Sequence, residues 1–401
     1  MSRLVDVAGR AHVSLATTSR VLNGTGFVSD ALRQRVLAAV KELNYTPDGI
    51  ARSMAKGQTL TLGLVVADIT SSFFNQVARG VEDMGRAHGY SVVLCNADED
   101  LSKEQAYLAM LREKRVDGIL LAPSSGEVAH VQRLADAGVT LALLDRGIPA
   151  LEIPSVQVDN VGGMYRATEY LLGLGHRRIA MVVGDLAITT AHQRLEGFTA
   201  ALEAARVPLN PDLLIPARPH QDGGFDAARQ IWNLRPRPTA IISWGDVTTT
   251  GVLLALRDCG AHIPEDISVI GFDDVPLFTL LARPLTVIAQ PAYEVGQRAC
   301  ALLLRMIRDE APLPPEESQI ILPTQFLIRA SCGWAARRDL RTRETERHME
   351  SLVVAPVTGQ QRHGEAGQDP TAGACPPRPR GAPLTVTASE KTRKGERCHA
   401  N

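Results

Sequence analysis

Between residue 60 and about residue 332 the chain repeats one texture, a short and nearly continuous apolar run followed by a helical segment. The runs fall at Thr61–Ala67, Tyr90–Cys95, Gly118–Ala122, Leu141–Leu144, Arg178–Val183, Ala240–Ser243, Ile267–Gly271 and Leu285–Ala289. Phe73–His88 and Ser102–Lys114 are two of the helical segments between them. A strand that is apolar on both faces must be covered on both, which a parallel sheet sandwiched by helices achieves. About 270 residues of this pattern is long for one sheet, so it predicts an α/β core of two doubly wound lobes. The lobes are expected to take residues 60–158 with 290–318, and 159–289 with 319–332. Beyond that the pattern stops. Residues 333–401 are rich in Arg, Glu, Thr, Gly and Pro and read as a disordered tail. Its stretch Arg337–Arg347 interleaves Asp339, Glu344 and Glu346, so it reads as solvated, with a contact to DNA as the other possibility.

Residues 1–47 have a different texture, helical throughout. Leu4, Val7, Ala8 and Ala11 share one face, Ser14 can cap a second helix running to Asn23, and Gly24 and Gly26 break it. Ser29 can cap a third helix carrying Leu32, Val36, Val40 and Leu43, which Tyr45, Thr46 and Pro47 end. The whole chain has a net charge of −1, yet residues 1–57 hold eight Arg and Lys against four Asp and Glu. A basic end on a neutral protein is the pattern of a nucleic-acid-binding head. The six cysteines are scattered, with no C-x-x-C pair and no histidine at zinc spacing, so no metal or other cofactor is expected. Without an apolar leader or a membrane-length apolar stretch, the expected location is the cytoplasm.

Val5–Arg20 is a short helix, a tight turn and a serine-capped second helix, the elements of a helix-turn-helix whose second helix enters the major groove. Leu15 and Ala16 at its start can offer apolar contact to a thymine methyl, and Arg20, one turn on, can pair with guanine O6 and N7. Thr17, Ser19 and Ser29 are placed for phosphates, and Ser14 and Asn23 complete the DNA-facing set.

The run D-V-A…V-S…T-x-S-R-V-L-N-G, then V-S…V…A…L-N-Y-x-P, resembles the head of the lactose-repressor (LacI/GalR) family. The similarity continues through F-F-N-Q-V-A-R-G-V-E (73–82), V-D-N-V-G-G (158–163), L-G-H-R-R-I-A (174–180), R-L-E-G-F (194–198), I-P-E-D-I-S-V-I-G-F-D-D (263–274) and P-L-T (284–286). The resemblance implies a repressor whose homodimer binds a pseudo-palindromic operator under control of a small-molecule effector, a sugar or a related metabolite. It makes residues 48–58 a hinge, with Met54 as an apolar wedge in the minor groove beside Ala51; the other reading is a plain linker with a solvated Met54. Two departures stand out. His12 replaces the usual Gly of the turn, and Thr18 replaces a core Val.

Two such lobes enclose a cleft at the carboxyl ends of their strands, an architecture that also resembles the periplasmic sugar-binding proteins. The candidate effector residues follow strands: Asp68, Ser72, Phe73, Phe74, Asp145, with Arg146 beside it, and Gln290 in one lobe, and Arg194, His220, Asp246 and Asp273 in the other. Carboxylates and an Arg can bind adjacent hydroxyls bidentately while an aromatic ring packs on a sugar face. Family resemblance ranks Arg194 and Asp273 first, then Asp145 and Phe74. Asp246 and Asp274 could equally be helix caps. Gly245 stands where Asn is common, after an unusual Trp244, and His220 and Ala292 stand where aromatics are common. The competing classes are a sugar receptor with no DNA role and a sugar-modifying enzyme. The chain lacks G-x-S-x-G, H-E-x-x-H, a P-loop and a complete G-x-G-x-x-G, so no catalytic residue is expected.

Overall fold

A computed structural model of the chain describes residues 2–23, 26–45, 58–309 and 314–334, all within one compact unit. Ala51, Met54, most of the hinge and the tail from residue 335 lie outside the described residues.

Three helices form the head: α1 (Leu4–Ala11), α2 (Leu15–Asn23) and α3 (Asp30–Glu42). Val7 and Ala11 of α1 meet Val21 of α2 and Val36 and Ala39 of α3 in a small core. Ser14 caps α2, its Oγ accepting from Thr17 N at 3.1 Å. Ser29 precedes α3 in extended backbone but makes no side-chain cap bond. The turn between α1 and α2 is clamped from α3, where Arg35 donates to the carbonyls of Ala11 and His12 at 2.5 and 3.0 Å.

The core contains two six-stranded sheets. The first takes β1 (Thr61–Val66), β2 (Ser91–Asn96), β3 (Gly118–Leu121), β4 (Leu141–Leu144) and β5 (Ser155–Val158). It is covered by α4 (Ser72–Ala87), α5 (Leu101–Glu113), α6 (Ala129–Asp136) and, from later in the chain, α12 (Ala292–Asp309). The second has β6 (Ile179–Val183), β7 (Leu214–Pro216), β8 (Ala240–Ile242), β9 (Ser268–Phe272) and β10 (Thr286–Ala289). Around it lie α7 (Asn160–Gly173), α8 (Thr189–Ala204), α9 (Gln221–Asn233), α10 (Asp246–Asp258) and the short α11 (Pro276–Thr279). After α12 and the one-turn α13 (Pro315–Ser318), β11 (Gln319–Leu322) and β12 (Gln325–Leu327) close the two sheets.

The strand orders are β11-β5-β4-β3-β1-β2 and β12-β10-β9-β8-β6-β7, every pairing parallel except β10 with β12. Central strands are buried on both faces as their apolar runs require: Leu62, Leu64 and Val66 of β1 join one core layer, and Val65 joins the layer opposite.

The chain crosses between lobes three times, after β5, after β10 and after β11. The last crossing corrects the expected boundary at 318/319. Gln319–Leu322 pairs in parallel with Ser155–Val158 and so belongs to the first lobe, and only residues from 325 onward return to the second. A four-residue parallel ladder with β5 and a buried Leu322 hold it there, which its short Gln-Ile-Ile-Leu sequence does not advertise.

Candidate functional site

Strands that all run one way end at one edge, and here those edges of both sheets face a shared cavity of about 60 Å³. From the first lobe come Asp68 after β1, Ser71, Phe73 and Phe74 at the start of α4, Glu99 after β2, and Asp145 with Arg146 after β4. From the second come Thr190 and Arg194 on α8, Pro219 before α9, Trp244 and Gly245 before α10, Asp246, Val247 and Thr248 in its first turn, Asp273 after β9 and Gln290 after β10.

Arg194 is 4 % exposed and organises one wall. Its Nε donates to Asn160 Oδ1 at 2.9 Å, its Nη1 donates to the Trp244 carbonyl, and its guanidinium lies 3.6 Å from the centre of the Phe272 ring. Burial pulls its pKa down, opposed by the charges of Asp273 and Asp145. Asp273 Oδ1 accepts from Gln290 Nε2 at 2.5 Å. Burial, then the like charge of Asp246, pushes the Asp273 carboxyl up to about 7. Asp145 is also pushed up by burial, against the pull of Arg146 and Arg194.

Asp246 joins the lobes. Its Oδ1 accepts from Ser71 Oγ at 3.0 Å and its Oδ2 from Ser72 N at 2.6 Å, at the amino end of α4, where a negative charge is favoured. Buried Asp145 Oδ1, Arg146 Nε, Trp244 Nε1 and Gln290 Oε1 make no hydrogen bond to the protein. Two are acceptors and two are donors, a set that hydroxyl groups, which both give and accept hydrogen bonds, can satisfy.

Of the ten expected effector residues, the structure gathers Asp68, Phe73, Phe74, Asp145, Arg194, Asp246, Asp273 and Gln290 on this cavity. Two do not line it. The capping residue Ser71 does so instead of Ser72, whose backbone N–H is turned to holding Asp246. His220 sits at the start of α9, and the preceding Pro219 lines the cavity in its place. Asp274 pairs with Arg329 at 2.7 Å rather than facing the cavity. The sequence reading missed Ser71, Glu99, Thr190, Pro219, Val247 and Thr248. Most of these adjoin expected positions, and a wider window after each strand would have caught them, Glu99 after β2 included.

In the head, Ser14, Leu15, Ala16, Arg20 and Ser29 are exposed, Leu15 by 49 %, while Thr17 and Ser19 are half-buried. An exposed leucine at the start of α2 and an exposed arginine in its last turn are side chains able to meet base edges. The Asn23 side chain lies outside the described residues.

Comparison with known proteins bears on both parts. Residues 3–48 match the family described as bacterial regulatory proteins, lacI family, and residues 168–332 match a periplasmic binding protein-like domain. The HTH-type transcriptional regulator DegA of Bacillus subtilis is 34% identical over 331 residues, covering 82% of this chain and 97% of DegA. The ribose operon repressor of Halalkalibacterium halodurans is 37% identical over 329 residues, covering 82% of this chain and 96% of the repressor. Among solved structures, the lac repressor dimer bound to operator and the anti-inducer ONPF aligns with a TM-score of 0.73 at 27% identity, over 83% of this chain and 99% of that one.

Proposed function

The chain belongs to the lacI family of bacterial regulatory proteins, and from that premise we propose that its homodimer represses from a pseudo-palindromic operator while a hydroxyl-bearing effector in the cleft sets the affinity. It is a sequence-specific DNA-binding transcription regulator under small-molecule control. The observation that carries the effector reading is the cavity itself. Carboxylates and two arginines converge there from both lobes, with two donors and two acceptors left without a hydrogen bond to the protein. The ribose operon repressor among the relatives supports a sugar as the effector class. The DNA reading assigns base contact to Leu15, Ala16 and Arg20, with Ser14, Thr17, Ser19, Asn23 and Ser29 at the backbone and Ala51 and Met54 in the hinge. Catalysis has no part in this reading, and the expected location is the cytoplasm, where operators are.

The test is an operator footprint, followed by a metabolite screen for thermal stabilisation. A metabolite that stabilises the protein and shifts the footprint should lose both effects in Asp273→Ala while operator binding survives. Undiminished affinity in that variant would move the effector out of this cleft. Arg20→Ala should cost about 1–3 kcal/mol per half-site and relax the preference at one base pair. An equal loss on every sequence would make Arg20 a phosphate contact instead.

A further inference from the structure

Carboxylates outnumber guanidiniums on the cavity wall, five to two, and one of them, Glu99, spends both its oxygens on one of the arginines. Glu99 reaches the cavity from a turn in which two consecutive residues, Asp98 and Glu99, have φ of 57° and 53°. Side chains other than glycine rarely adopt that conformation, so something must hold them there. The Glu99 amide donates to the Ala67 carbonyl at 2.8 Å, fastening the turn to the end of β1. Its carboxylate grips Arg146 through both oxygens, Oε1 to Nη2 at 2.6 Å and Oε2 to Nη1 at 2.7 Å, with both side chains more than nine-tenths buried. Arg146 Nη1 also donates to the Pro123 carbonyl at 2.8 Å.

The Nη1–Nη2 edge of that guanidinium is therefore committed to Glu99, while Nε makes no hydrogen bond and faces Asp145 Oδ2 at 3.6 Å. Burial alone would lower its pKa, but Glu99 and Asp145 outweigh that and hold it charged. The other arginine, Arg194, commits Nε and Nη1 to Asn160 and Trp244. An anionic ligand entering here would meet the acceptors of Asp145 and Asp273, with the Nη1–Nη2 fork of Arg146 filled by Glu99, its Nε faced by Asp145, and Arg194 already bonded through two of its nitrogens.

We propose that Glu99 is a specificity-determining residue, which makes the cleft select uncharged effectors over their phosphorylated or acidic counterparts by occupying Arg146. The inference rests on the reading of this cleft as the effector site and adds the effector's charge to it. Removing the charge of Glu99 releases the Arg146 fork toward the cavity and relaxes the exclusion.

Calorimetry on the full-length chain tests this, with inorganic phosphate and two matched pairs, ribose with ribose 5-phosphate and glucose with glucose 6-phosphate. The wild-type protein should bind phosphate no better than millimolar, and in neither pair should the phosphorylated member bind more tightly. Glu99→Gln should gain phosphate affinity by about tenfold or more, the change expected of recovered charge-assisted hydrogen bonds. Glu99→Asp, which keeps the charge, should gain none, and adding Arg146→Gln to Glu99→Gln should abolish the gain. An equal gain in Glu99→Asp, a gain that survives Arg146→Gln, or no gain in a folded Glu99→Gln would each overturn the proposal. Should Glu99→Gln fail to fold, the wild type decides: a preference for either phosphorylated sugar, or phosphate binding that Arg146→Gln removes, sinks it. A screened effector that needs Asp273 but proves to be a phosphate ester would leave the cleft reading intact and refute the role of Glu99 alone.

Discussion

At the scale of single residues, the burial of Asp273 gives a sign to the pH dependence of stability. Its carboxyl titrates near 7 in the folded chain and near the usual carboxylate value of about 4 when unfolded. Between those values the folded chain holds a proton that the unfolded chain releases. The stabilisation is complete below the lower value and is lost as pH rises through about 7. Asp273→Asn, which copies the protonated form, should therefore gain stability relative to wild type as pH is raised from about 5 to 8. A flat difference in urea midpoints across that range would show that the group titrates normally. Single residues also settle the two departures in the head. Thr18 is fully buried, but its hydroxyl donates to the Ser14 carbonyl at 3.1 Å, so the substitution for an apolar residue leaves no unmet polar group. His12 does sit in the left-handed region, at φ 51° and ψ 49°. His12→Gly should protect the head amides against hydrogen exchange by about 1 kcal/mol, provided that Gly does not loosen the unfolded chain by as much. Unchanged protection would mean those two effects cancel.

Elements meet where backbones can touch. α4 and α12 approach through reciprocal glycines: a Cβ on Gly80 would lie 2.2 Å from the Tyr293 carbonyl oxygen, and one on Gly296 would lie 2.1 Å from that of Val77. Neither neighbour can yield without moving a helix. Gly296→Ala should then cost roughly 1–3 kcal/mol or more, seen as a lower melting temperature, whereas Ala at open Gly173 should not. That packing was invisible in the sequence, where Gly80 and Gly296 are only helix-weakening residues. What was legible at this scale was set by period and composition. β1, β3, β4, β6, β8 and β9 are uniformly or almost uniformly buried, and their apolar runs announced it. β5, β7, β11 and β12 are three or four residues long and carry Ser, Gln or Pro, too little pattern to read alone. The cleft followed the same logic. Residues directly after long parallel strands could be placed because strand direction brings them together, whereas Glu99 arrives through two left-handed residues that no periodicity encodes.

For the whole molecule, the decisive feature is that the lobes are tied across the cleft by few bonds. Ser71 Oγ and Ser72 N on one lobe both donate to Asp246 on the other, and Gly147 N donates to Thr189 Oγ1 at 3.1 Å. Three connecting strands of chain allow hinge motion, so these contacts help set the balance between closed and open arrangements. An effector can bias that balance only by binding one arrangement better than the other. Weakening the tie without touching the main anchors should therefore raise the open population and tax effector affinity by the fraction no longer closed. Asp246→Asn keeps the shape, loses the carboxylate charge at the start of α4 and retains one acceptor. It should weaken effector binding by roughly threefold to tenfold, and scattering should show a larger radius of gyration in the unliganded protein. Removing the like charge should also lower the Asp273 carboxyl from about 7, moving the pH dependence argued above toward acid. The two readouts separate the possible roles of Asp246. A shift in the Asp273 titration with unchanged scattering and affinity would leave it an electrostatic neighbour that ties nothing together.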